Sequence, residues 1–149
     1  MRALLRQVSA ETALVEAFLA LLDEEAAALT GSRFEALPGI TRRKDEAAER
    51  LAAADAVREQ LLQALGHAGD RAGAAAAAGG PALQQAWERL LALAARARDQ
   101  NHRNGVMIHA HLDFTRQSIA FLQTGNRPLY GPDGQYRAPA GSSARYAAG

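Results

Sequence analysis

The spacing of apolar side chains in the first thirty residues is the feature that most constrains how this chain can fold. Eight positions between Leu4 and Leu29 step alternately by four and three residues, and six of them are apolar. These positions are Leu4, Val8, Glu11, Val15, Phe18, Leu22, Glu25 and Leu29. A parallel row of Leu5, Thr12, Leu19 and Ala26 widens the stripe. This pattern is typical of a long bundle helix, and Thr30-Gly31 is its predicted end.

Two further segments show a helical pattern. Ser32 and Glu35 have the spacing of a capping box for a short turn, and Pro38 fits the first turn of a second helix. The least polar row of that helix is Lys44, Ala47, Leu51, Ala54, Arg58, Leu61 and Leu65. The charges around its first turns, from Arg42 to Arg50, are expected to form a solvated face. A third pattern runs from Pro81 to Leu122, and only Gly105 interrupts it.

The composition favours helices over strands. The chain contains 36 alanines, whereas valine, isoleucine and threonine together contribute only twelve residues. We therefore expect an all-α fold, an elongated antiparallel three-helix bundle or coiled-coil hairpin with a long C-terminal helix. Residues 1–125 form its one domain, with a flexible Ala/Gly-rich loop at 66–80, and residues 126–149 form an irregular, flexible tail.

Charge and hydropathy narrow the class of partners. Seventeen basic and sixteen acidic side chains give a net charge of +1, so we expect no binding to nucleic acid by charge alone. No apolar run is long enough to cross a bilayer, and the first residues do not resemble a signal peptide. The expectation is a soluble, cytoplasmic protein without membrane insertion.

Catalytic and metal-binding patterns are weak. There is no cysteine, and no Gly-x-Ser-x-Gly or Gly-Lys-Ser/Thr motif. His109 and His111 are two residues apart, so a helix directs them to different faces and they cannot chelate one ion. We expect no enzyme activity, no cofactor and no metal site.

Polar residues interrupt the third seam near its middle. Asn101 and Asn104 occupy successive seam positions and Gly105 follows them. A buried asparagine in such a seam fixes register or partner number at some cost in stability. These three residues are therefore predicted to set helix register, at a weak point or a close helix crossing. The alternative is that the helix bends or ends here.

After Gly105, apolar residues exceed a single stripe. Ile108, Leu112, Ile119 and Leu122 share one face, while Met107, Phe114 and Phe121 share another about 100° away. Such surplus suits a groove for a further helix, although a buried or self-associated face is equally compatible with the periodicity. The predicted binding residues are Met107, Ile108, Leu112, Phe114, Ile119 and Phe121.

Three segments resemble the FlgN-type flagellar export chaperones. They are Trp87 early in the third helix, Asn101-His102-Arg103-Asn104-Gly105 about two heptads later, and Leu129-Tyr130-Gly131-Pro132-Asp133-Gly134-Gln135 in the tail. Lys44 after Arg42-Arg43 is also similar to the family pattern, and the resemblance covers most of the chain.

This resemblance implies a cytoplasmic chaperone that binds the C-terminal helices of hook-filament junction proteins, prevents their premature assembly and delivers them for export. The partners it implies at the export apparatus are the cytoplasmic domain of the export gate and the stalk protein of the export ATPase. The gate contact would lie around Tyr130, Gly131, Asp133 and Gly134. From the residues alone, Tyr130 is an aromatic anchor on a flexible arm, or part of a merely solubilising tail.

Two other functions remain open: a different coiled-coil secretion chaperone or adaptor, and a structural homo-oligomeric coiled coil. The sequence also leaves open whether the free protein is a monomer or a homodimer.

Overall fold

A computed structural model describes residues 1–67, 76 and 78–125 of the chain. Helix α1 spans Arg2–Thr30, α2 spans Leu37–Ala64 and α3 spans Pro81–Gly125, and a 3-10 turn at Phe34–Ala36 connects α1 to α2. No strand occurs in these described residues. The prediction of an all-α fold with three helices is confirmed.

The chain divides into two compact units, Met1–Asn104 and a second unit that begins at Gly105. The first contains α1, α2 and the first part of α3, and the second contains the rest of α3. Residues 126–149 lie outside the described residues, so the predicted domain end at residue 125 and the irregular tail stay predictions.

The seam of α1 forms the centre of the first unit. Seven of its eight predicted positions are buried and Phe18 is half-buried, while Thr12 and Leu19 of the second row are also buried. These side chains pack against buried residues of α2 and α3, including Leu62, Leu83 and Leu90. Burial of a stripe this wide requires helices on both sides of α1, which is why a three-helix arrangement forms.

Helix α2 contributes a thinner face. Six of the seven residues in its predicted row are half-buried, but Leu65 at its end is exposed and Leu62 is buried instead. The prediction at Leu65 is wrong because α2 ends at Ala64 and Leu65 already belongs to the C-cap. The alanines of this row bring little apolar area into the core, so α2 depends partly on polar contacts.

Polar contacts show the direction in which each of the three helices runs within the first unit. Arg43 pairs with Glu24 and Gln7 with the carbonyl of Ala54, so α2 runs antiparallel to α1. On α3, Leu83, Leu90, Ala97 and Asn104 are buried at seven-residue spacing. Arg89 pairs with Glu16, while Asn104 contacts Leu22, so this part of α3 runs parallel to α1. Within the first unit, α2 is therefore antiparallel to both α1 and α3, as expected for an antiparallel three-helix bundle.

The α1–α2 connection is tight, and it lacks the predicted capping box. Ser32 adopts a left-handed conformation with φ 56°, one residue before Arg33, the N-cap of the 3-10 turn. No side chain caps this turn because the serine lies outside the N-cap position. Pro38 lies in the first turn of α2 as predicted, where a missing N–H costs nothing.

The predicted loop 66–80 lies largely outside the described residues. Gly66 has φ 81° and ends α2 in a conformation that suits glycine, and Gly80 has φ 93° just before α3. Between them Ala76 is helical and buried in the core. None of the described helices is long and apolar enough to cross a membrane.

Candidate functional site

A buried carboxylate lies at one end of the first unit, in the seam of α1. Glu25 is 1% exposed, and Lys44 of α2 donates to both of its oxygens, at 2.9 Å to Oε1 and 3.2 Å to Oε2. A charge removed from water in this way is stable only when it is paired and hydrogen-bonded. Lys44 therefore belongs to the bundle interior, and its predicted place on a solvated charged face is wrong.

Asn104 of α3 is a second side chain that donates a hydrogen bond to Glu25. Its side chain is fully buried, and its Nδ2 donates to the Leu22 carbonyl at 2.8 Å and to Glu25 Oε1 at 3.0 Å. Its Oδ1 accepts from Gln100 Nε2 at 2.8 Å. The amide thus connects α3 to α1, and Lys44 connects α2 to the same carboxylate. We call Glu25, Lys44, Asn101 and Asn104 the polar layer.

The two asparagines differ in environment. Asn101 is exposed, and its Oδ1 accepts from Lys44 Nζ at 2.9 Å at the rim of the polar layer. The premise that both asparagines are buried is therefore wrong for Asn101, which contacts Lys44 but stays exposed. Asn104 is the buried amide. Whether the pair sets helix register stays a prediction.

Among the described residues, no helix crosses close to Gly105. Helix α3 continues through it to Gly125, and a Cβ placed on Gly105 would meet no other heavy atom within 4 Å among the described residues. The alternative that the helix ends here is also wrong. Gly105 instead begins the second compact unit.

The second unit presents the candidate binding face. Described residues 105–124 include none that is buried, although many of them are apolar. Phe114 is 67% exposed and Phe121 is 70% exposed. Together with Gln117, Ser118 and Leu122 they line a shallow concavity of about 380 Å³. Aromatic rings exposed to this degree on one helix face are typical of a protein-binding surface.

The six predicted binding residues all lie on this part of α3. Leu112, Phe114, Ile119 and Phe121 are exposed, whereas Met107 and Ile108 are half-buried. Of the six, the concavity includes Phe114 and Phe121. Leu122 is 62% exposed and also lines it, although it was not among the six. Its signal in the sequence was its place at the end of the Ile108 face. We call these seven residues, which cover both predicted faces of this part of α3, the apolar face.

The polar layer contains two residues whose partners sequence reasoning missed. Glu25 stood out only as a charged residue inside the α1 seam, and Lys44 as a charged residue inside the α2 row. A charge at a seam position of each of two helices is a signal for a buried ion pair, since either charge alone would be costly. The sequence could not show that the two positions face each other.

Other predicted features are either absent from, or outside, the described residues. Tyr130, Gly131, Asp133 and Gly134 lie outside them. Within the described ranges, no group of three or more acidic or histidine side chains could hold a metal ion. His109 is exposed, and Thr115 Oγ1 donates to the carbonyl of His111 at 2.9 Å, as in an ordinary helix turn.

Comparison with known proteins identifies the family. The sequence model of the FlgN protein family matches residues 1–138. The chain belongs to the FlgN family. Two relatives are the flagella synthesis protein FlgN of Yersinia enterocolitica and its counterpart in strain NCTC 13174 / 8081 of that species, each 42% identical over 55 residues. These matches cover 36% of this chain and 37% of each relative, so the chain spans little more than a third of their length. No solved structure matches it significantly.

Proposed function

We propose that this FlgN-family chain is a cytoplasmic flagellar export chaperone. It binds the C-terminal helices of hook-filament junction proteins on the apolar face of α3, keeps them from assembling early and delivers them for export. Membership of the FlgN family and the names of its relatives support the flagellar role. The proposed binding site rests on the exposure of Phe114 and Phe121 beside Leu122.

The chemistry of the apolar face fits a helical cargo. Its few charges are weakly paired with each other, since Arg116 and Asp113 lie 4.0 Å apart. A surface with seven apolar side chains and little net charge gains affinity mainly from burial, as when an amphipathic helix packs on a hydrophobic face. The C-terminal helices of the junction proteins supply a partner of that kind.

Truncation of the two phenylalanines tests the binding site. Phe114→Ala and Phe121→Ala should each weaken binding of a junction-protein C-terminal peptide about 30-fold, which corresponds to about 2 kcal/mol for a large aromatic anchor. Isothermal titration calorimetry measures the affinity, and circular dichroism checks that helical content is unchanged.

Val57→Ala is the matched control, because Val57 is an exposed apolar residue of α2 in the first unit. It should leave cargo affinity unchanged. Normal cargo binding by both phenylalanine variants would move the site away from the apolar face. Failure of the full-length chain to bind junction proteins, with another secreted protein or only itself recovered instead, would favour a different secretion chaperone or a structural homo-oligomer.

We further propose that the tail contacts the cytoplasmic domain of the export gate through Tyr130, Gly131, Asp133 and Gly134. The FlgN family match extends to residue 138 and so includes this segment. An aromatic anchor outside the cargo-binding helix would let the gate and the cargo bind at the same time.

Deletion of residues 126–149 should abolish gate binding and lower secretion of junction proteins while cargo affinity stays within about twofold, since the apolar face remains. Tyr130→Ala should reproduce most of the loss, and Tyr136→Ala is the matched control in the same tail. Undiminished gate binding by the deletion variant would place the contact on the helices.

Two further partners complete the proposal: the stalk protein of the export ATPase and a second copy of the chain. Pull-down with purified stalk protein tests the first. Sedimentation velocity of the free chain tests the second. A homodimer that dissociates when cargo peptide is added would show that the apolar face binds both the cargo and the second copy.

The polar layer is the proposed register determinant of the bundle. In the observed alignment Asn104 donates to both the Leu22 carbonyl and Glu25. A shift of α3 by one turn would leave Lys44 as the one donor to Glu25 among the described residues. A buried polar group that is satisfied in one alignment alone disfavours the others. Asn101 supports this alignment through Lys44.

A further inference from the structure

In the first unit, a groove opens to solvent between α2 and α3. Its volume is about 510 Å³. The large apolar side chains that line it are Val15, Phe18, Leu51, Trp87, Leu90 and Leu91. Small residues on the facing helices, such as Ala52 and Ala94, also line the groove and leave its volume unfilled. Leu91 is 50% exposed, so a large aliphatic surface faces water there.

Arg58 and Glu11 form the polar part of the groove wall. The Arg58 guanidinium lies 5.3 Å from the centre of the Trp87 ring and pairs with both Glu11 and Asp55. Glu11 is buried, yet its Oε2 has no hydrogen-bond partner among the described residues, and neither does Nε of Arg58. Native folds leave few such buried atoms unpaired.

The two ends of the groove carry opposite charges. Arg98 lines one end, is exposed and forms no ion pair within the described part of the chain. Asp55 lines the other end near Arg58 and Trp87, and its side chain is 60% exposed. On α3, Arg98 is two helical turns from Leu91, a distance of about 10 Å.

We propose that this groove binds an amphipathic helix of a partner protein, which inserts a leucine-sized side chain between Leu51, Trp87 and Leu91 and places a carboxylate against Arg98. An open groove between two antiparallel helices is the shape that a further helix fills. The unpaired Arg98 at one end supplies the charge complementarity that selects an acidic flank. This proposal does not depend on cargo binding at the apolar face of the second unit.

Trp87 gives a local readout, because it is the only tryptophan of the chain. The probe is a synthetic helical peptide of about four turns with leucines at heptad spacing, one flanking glutamate, and neither tryptophan nor tyrosine. A sister peptide carries lysine in place of that glutamate. The glutamate peptide should shift Trp87 emission to shorter wavelength and protect it from acrylamide quenching, and titration gives the affinity.

Leu91→Asp should weaken the affinity that is read from Trp87 at least tenfold, whereas Val57→Asp, at an exposed valine outside the groove, should leave it unchanged. Both sites are exposed, and circular dichroism verifies folding. Arg98→Glu should weaken the glutamate peptide about three- to tenfold and favour the lysine peptide, as expected for a rim charge.

Three results would overturn the proposal. The first is Trp87 emission that neither peptide changes, and the second is unaltered affinity in Leu91→Asp. The third is emission of the protein alone that changes with its own concentration and loses this dependence in Leu91→Asp, since a second copy would then fill the groove. If Arg98→Glu and the unmodified chain have the same ratio of affinities for the glutamate and lysine peptides, the carboxylate contact is refuted.

Discussion

Removal of the Lys44 charge should destabilise the bundle much more than removal of the charge beside it. Lys44→Met keeps the aliphatic stem of the side chain but deletes the ammonium group that contacts Glu25 at 2.9 Å and 3.2 Å. The carboxylate is 1% exposed, so water cannot replace the lost partner without opening the helix interface. Of its donors among the described residues, Glu25 would retain the Asn104 amide, at 3.0 Å.

The expected loss is about 3 kcal/mol in the free energy of unfolding. Breaking one side of a buried ion pair costs roughly 3–5 kcal/mol, and the remaining Asn104 hydrogen bond places this case at the lower end of that range. For a domain of about 100 residues, such a loss lowers Tm by about 12 °C. Since small domains have roughly 5–15 kcal/mol in total, the unpaired Glu25 carboxylate left by this variant would remove a large part of the stability.

Arg43→Met is the matched control. Arg43 precedes Lys44 and pairs with Glu24, the neighbour of Glu25, at 2.6 Å, but both of these side chains are about half exposed. An exposed pair contributes roughly 0–1 kcal/mol, so this variant should lose no more than that. Urea denaturation followed by circular dichroism measures both variants.

The double variant Glu25→Leu with Lys44→Met separates pairing from packing. Replacing both charges by apolar side chains should recover most of the loss, since an unpaired buried charge no longer remains. Equal stability of Lys44→Met and Arg43→Met would refute the reasoning, because it would show that Glu25 is solvated or reorganises when Lys44 is absent.

Two further predictions concern the middle of α3. Gly105→Ala should raise the helix stability by about 1 kcal/mol, because the new Cβ meets no described atom within 4 Å and glycine is a poor helix former; a lower Tm would show an unseen contact at this position. Asn104→Leu should lose about 2 kcal/mol with its hydrogen bond to the Glu25 carboxylate, whereas Asn101→Leu at the exposed rim should change stability by less than about 1 kcal/mol. Chemical denaturation distinguishes the two, and equal losses would contradict the difference in burial.

The helices and their packing faces could be predicted because they depend on local pattern. The four-three spacing of α1 assigned its buried side, and Pro38 and Thr30-Gly31 located the ends of elements to within one residue. Errors occurred where a neighbouring segment decided the outcome. Ser32 was predicted to cap a turn but takes the left-handed conformation that the chain reversal requires, and Leu65 was assigned to a helix that ends one residue earlier.

The apolar face was predictable for a related reason. This segment has more apolar residues than one helical stripe needs, and the excess can be counted from the sequence once a helical period is assumed. The groove at Trp87 was not predictable. Its shape depends on small and large side chains from three helices, such as Val15, Leu51 and Ala94, whose relative alignment is not written in the pattern of any one of them.

The sequence by itself determined that this chain forms three amphipathic helices, with apolar surface in excess on the last one. Only the tertiary structure decided which polar residues meet. Along the chain, Lys44 is 19 residues and Asn104 is 79 residues from Glu25. Each of the three residues alone would be unfavourable in a helix seam. They become favourable together because packing removes water and places donors from α2 and α3 beside one carboxylate. Hydrophobic periodicity is a property of one helix, whereas compensation of a buried charge is a property of three helices in contact.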